Sequence, residues 1–175
     1  MRTKALQVLS LLLLLSGCSI WQSAVKSTFP YTTIITIPRT SADNVLLSAS
    51  GTAKSFDQNF NKNGNNANKV KDVKIASAKI ESDDPADFNL GNLSVIKVYL
   101  SKTDGSEELL VASRTDITAL VGNSLVLDID NTKILDDQVN QSNVGIRMEY
   151  QLRDHIYVNA HLKVVLSLRA SPGSK

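Results

Sequence analysis

The chain has 175 residues, one cysteine and a formal net charge of +2, so an intrachain disulfide framework is excluded. Both excess positive charges are Arg2 and Lys4, which leaves residues 18–175 charge-balanced and without a Lys/Arg cluster or basic-aromatic stripe along the sequence. That balance offers no electrostatic argument for nucleic-acid binding, and the length suits one domain with a sizeable core.

Arg2 and Lys4 precede an apolar run over 5–15 that is too short to cross ~30 Å of hydrocarbon as a helix, for which about 20 residues are needed. A positive segment followed by such a run is a processed targeting signal. It ends in Leu15-Ser16-Gly17-Cys18, where an aliphatic and two small residues precede the cysteine. This resembles the lipobox of bacterial lipoproteins, and the resemblance covers residues 1–18 only. It implies cleavage between Gly17 and Cys18, a diacylglyceryl group on the Cys18 thiol and acylation of the new amino group. Two or more chains anchor stably where one gives a binding constant of only about 10⁴ M⁻¹. In enterobacterial lipoproteins an aspartate after the cysteine favours retention in the inner membrane; Ser19 stands here, so the resemblance implies the outer membrane. The expected plan is a signal peptide over 1–17, a lipidated cysteine and polar tether over 18–30, one domain over 31–170 and a tail over 171–175.

Thr32 to Ile37 is dense in β-branched residues and stops at Pro38, which cannot donate to a ladder. Val45 to Ser55 is a weaker strand with Gly51 at a bend. The segment 57–69 is asparagine-rich and nearly devoid of apolar side chains, which predicts a long loop. Val70 to Glu81 resumes strand character before an acidic loop at 82–87. Leu93 to Ser101 and Glu107 to Ser113 flank Asp104-Gly105, a strong hairpin signal. Thr115 to Val121 is expected to form one or two short helical turns, capped by Thr115 and ended by Gly122. The last third alternates most cleanly, through Leu125 to Ile129, Val144 to Leu152 and Ile156 to Leu168. Arg153-Asp154-His155 is read as a hairpin loop joining the final two strands. About eight short strands with no long amphipathic helix predict an all-β, antiparallel two-layer β-sandwich, Ig-like or jelly-roll in outline.

Leu125 to Thr132 ends a hydrophobic strand in Asp128-Ile129-Asp130-Asn131-Thr132. This resembles the first motif of haloacid-dehalogenase phosphatases, and the resemblance implies Asp128 as nucleophile, Asp130 as general acid/base and Mg²⁺ on the phosphate. Only a loop and strand-like segments follow Thr132, whereas that family continues with βα units. Turn formation accounts for the same residues. The stretch also lacks the glycine and glutamate of a Ca²⁺ loop, having Lys133 and Val139 there. No cofactor or metal is therefore expected, and catalysis is not. His161, Tyr157 and Asn159 would share an outward face opposite Arg147 and Glu149, a polar face suited to a glycan or an envelope protein. The expectation is a non-catalytic binding, adhesion or assembly module, with a carbohydrate-binding module or the Asp128/Asp130 phosphatase as the alternatives.

Overall fold

The computed structural model describes residues 27–40, 44–55, 70–141 and 143–172. Gly17, Cys18 and the expected loop over 57–69 lie outside the described residues. The fold is all-β, as the alternation predicts. The strands are β1 (Ser27–Ile37), β2 (Leu46–Ser55), β3 (Val70–Asp84), β4 (Leu93–Ser101), β5 (Leu109–Arg114), β6 (Ser124–Val126), β7 (Asp128–Ile129), β8 (Asn143–Leu152) and β9 (Ala160–Pro172), with a short helix α1 (Asp136–Val139). Among the described residues they form one nearly closed antiparallel sheet in the order β6-β3-β9-β1-β2-β8-β4-β5-β7.

Closure comes from a single run of chain. β6 pairs with β3 through Lys79↔Val126, and two residues later β7 pairs with β5 through Ala112↔Ile129. Leu127 between them donates its N–H to Ala78 O at 3.0 Å. Part of the remaining β3 edge is covered too: Leu135 N–H donates to Val73 O, while Asp136 accepts from the N–H groups of Asp72 and Val73. The length of exposed sheet edge is thereby reduced.

On β1, β8 and β9 side chains alternate regularly between the core and the outside. On β8, Val144, Ile146, Met148, Tyr150 and Leu152 are buried, and on β9 Leu162, Val164, Leu166 and Leu168 are fully so. Burying a side chain of this kind is worth ~1.5–3 kcal/mol relative to exposure, so the period-two pattern fixes which face of every long strand turns inward. The β4–β5 turn forms as expected, with Gly105 at φ 82° and its N–H donating to Lys102 O.

Four expectations are corrected. β8 and β9 do not pair as a hairpin, because β9 fills the gap between β1 and β3 and β8 that between β2 and β4. Alternation fixes a face but not a neighbour. β9 begins at Ala160 rather than Ile156: Tyr157 and Val158 are both exposed and the connection is held instead by a bridge between Thr40 and Ile156. Residues 115–122 are not helical but form an extended strap with one turn. Side chains from elsewhere hold its backbone groups: Asn89 accepts from Gly122 N–H and donates to Ala119 O, and Arg153 donates to Ile117 O. The first strand also starts at Ser27, inside the expected tether, because Phe29 is a core residue packed edge-on against Tyr31 at 6.0 Å.

Candidate functional site

The residues expected to form one binding face fall into two groups. Arg147 and Glu149 lie on β8, whereas His161 lies on β9 and Tyr157 and Asn159 in the segment before it; β1 and β2 intervene.

Arg147 and Glu149 sit on the outer face among partners of their own. The Arg147 guanidinium donates from Nε and Nη2 to the two carboxylate oxygens of Glu108, at 2.7 and 2.6 Å, and from Nη1 to Glu149 at 2.7 Å. It also stacks 4.2 Å from the ring centre of Tyr99, whose hydroxyl donates to the other Glu149 oxygen at 2.9 Å. Hydrogen bonds from Arg147, then from Tyr99, hold the Glu149 carboxyl below its ordinary range, and the same carboxylates push the Arg147 pKa up. Desolvation, then the Glu149 carboxylate, raises the Tyr99 pKa. With each charged group already paired, the cluster staples β4, β5 and β8 rather than presenting free donors.

The second group borders a cleft of about 450 Å³ lined by Arg39, Thr40, His155, Ile156 and Tyr157. The sequence dictates its form. Pro38 ends the regular ladder of β1, and the chain continues beside the segment before β9, where Arg39 N–H donates to Asn159 Oδ1 at 2.9 Å. Thr40 and Ile156 then exchange two backbone hydrogen bonds of 3.1 Å, which fixes the floor. Tyr157 is 82% exposed beside it. His155 has Nδ1 3.7 Å from Asp154 Oδ1, and His161 Nδ1 shares a hydrogen bond of 2.9 Å with Thr36 Oγ1. The cleft thus offers a guanidinium, an imidazole and an aromatic face, with an apolar floor at Ile156. Sequence reasoning missed Arg39; the signal was its place directly after the strand-ending Pro38.

Asp128 and Asp130 are separated in role. Asp128 is outward, 3.6 Å from Arg114 and 74% exposed at its side chain. Asp130 accepts from both the N–H and the hydroxyl of Thr132, which together hold its carboxyl below the ordinary range. Among the described residues no group of three His, Cys, Asp or Glu side chains is arranged to hold a metal, and no helix is long and apolar enough to cross a membrane.

No known family profile and no curated protein matches the chain. A solved chain titled Desmodium yellow mottle tymovirus is similar over 86% of this chain and 85% of its own length, at 10% identity and a TM-score of 0.29. A likeness at that level carries no argument for fold or function.

Proposed function

We propose that this protein is a lipid-anchored cell-envelope lipoprotein, held at the outer membrane through Cys18, whose β domain is a non-catalytic binding module using the Arg39–His155–Tyr157 cleft. The supporting observation is directional. β1 starts nine residues after Cys18 and runs to Ile37, two residues before Arg39. At ~3.3 Å per residue an eleven-residue strand separates its two ends by about 35 Å. The cleft therefore opens at the end of the domain remote from the anchored segment, where a partner reaches it without meeting the bilayer.

The test combines an anchor variant with a crosslink. Cys18→Ser should abolish lipid labelling and release the protein from membranes; unchanged labelling and fractionation refutes the anchor. A photoreactive residue at Tyr157, in cells, should give a discrete adduct that Arg39→Ala removes, while the same residue at the outward Thr52 gives none. Equal crosslinking from both positions refutes the cleft as the binding surface.

A further inference from the structure

The charge balance of the sequence hides a one-sided surface. On the outer faces of β3 and β9 stand Lys71, Lys74, Lys79, Lys163 and Arg169. Toward one end Glu81 neutralises part of this group, lying 2.6 Å from Lys79 and 3.9 Å from Lys163. At the other end Lys74 and Arg169 are directly opposite each other across the β3–β9 ladder, where like charges repel. They line a small cleft of about 180 Å³ with Asp72 and Ser171. Among the described residues neither Lys74 nor Arg169 enters an ion pair, Asp72 included. A facing pair of half-buried cations with no ion-pair partner among the described residues breaks a local rule of sheet pairing, and such breaks concentrate at functional or strained sites.

Their position names the ligand. Arg169 is also the ladder partner of Thr28, the second residue of β1. The nine residues from Cys18 to Ser27 reach at most ~30 Å when fully extended. A chain anchored at Cys18 thus keeps this cationic end within ~30 Å of the bilayer surface, the nearer of the two ends of β1. We infer that Lys74 and Arg169, with Lys71 beside them, dock on anionic lipid headgroups and so orient the anchored domain with its cleft outward. The inference rests on the lipid-anchor reading and adds to it a second, electrostatic contact. Each cation near an anionic surface is worth ~1 kcal/mol, or about 5-fold, so removing two should lower the ratio of docked to undocked domain roughly 30-fold.

The experiment uses the full, membrane-processed chain in vesicles of phosphatidylcholine alone or with added phosphatidylglycerol. A fluorophore is placed at Ser77→Cys, exposed on the same face, or at Tyr157→Cys at the far end, and quenching by headgroup-labelled lipid is read. Docking predicts strong quenching at position 77 in the anionic vesicles only, weakened by high salt and by Lys74→Gln/Arg169→Gln, with position 157 unquenched throughout. The paired variant should melt no lower than the parent, since it removes a repulsion. Quenching at 77 that ignores lipid charge or the paired substitution, or quenching at 157 instead, overturns the docking while the protein still floats with the vesicles. Failure to float with neutral vesicles, accompanied by dye on Cys18 itself, overturns the anchor and the docking with it.

Discussion

Gly91 should be nearly irreplaceable, for a reason outside its own backbone angles. A Cβ built on it would stand 2.2 Å from Ala119 O and 2.4 Å from Ala119 C, both in the strap backbone. Ordinary contact begins near 3.4 Å, so in Gly91→Ala the strap must retreat by about 1 Å. That motion pulls on the bonds that seat it: Asn89 Nδ2 to Ala119 O at 2.6 Å, Gly122 N–H to Asn89 Oδ1 at 3.0 Å and Leu90 N–H to Gly122 O at 2.7 Å. At about 1 kcal/mol net for each bond, partly offset by the ~0.4–1 kcal/mol that Gly→Ala recovers from the unfolded chain, the loss is about 2–3 kcal/mol. Overpacking adds ~1 kcal/mol or more. For a domain of this size 1 kcal/mol shifts Tm by ~2–4 °C, so a total of about 3–4 kcal/mol predicts a fall of about 6–16 °C in thermal melts followed by circular dichroism. Gly105→Ala is the control: nothing lies within 4 Å of its Cβ, and only its φ of +82° opposes the change, at ~1–2 kcal/mol. If Gly91→Ala melts no lower than Gly105→Ala, the strap is not seated as described.

The Arg147 cluster makes two further predictions. The Glu149 carboxyl is held below its unfolded value of 4.5, so its contribution is fully present above that value and is lost as the pH falls through the lower, folded one. Denaturant midpoints measured from neutral pH into this acid range should fall more steeply for the parent than for Glu149→Gln, and parallel curves would refute the coupling. Arg147→Met leaves Glu108 and Glu149 facing each other without the guanidinium that joins them, and should cost about 2 kcal/mol in chemical denaturation at neutral pH; a loss within ~0.5 kcal/mol would place the cluster among inert surface pairs.

How much of this was legible depends on whether a signal is local. The alternation over Val144 to Leu152 and the Asp104-Gly105 turn are properties of adjacent residues, and both appear as read. The partner of each strand is not local. β8 meets β2 and β4 because nothing in its own alternation distinguishes those neighbours from β9. The strap over 115–122 failed as a helix because its backbone groups are held by Asn89 and Arg153, residues outside the window in which a helix is judged. The same limit governed the sites. Tyr157, Asn159 and His161 lie close together because they are sequence neighbours, whereas Arg39 meets Asn159 only through the approach of the chain after β1 to the segment before β9, marked by the bridge from Thr40 to Ile156. Lys74 and Arg169 belong to strands far apart in sequence, so their opposition was invisible until β3 and β9 were seen to pair.

Closure of the sheet narrows the ways in which this domain can recognise anything. With the β3 edge met by Leu127, Leu135 and Asp136, and the β5 edge by β7 and by Asp130 N–H on Val111 O, both edges are interrupted among the described residues, which shortens the template for strand addition. Recognition is left to outer faces and ends. The face over β4 and β8 is spent on its own charges, since Arg147, Glu108, Glu149 and Tyr99 satisfy one another. Among the described residues, polar surface outside that network includes the Lys74–Arg169 pair, near the first residues of β1, and the Arg39–His155–Tyr157 cleft, just past its last. A strand that begins beside one and ends beside the other keeps them at opposite poles, so the proposed membrane contact and the proposed partner contact do not compete for the same surface.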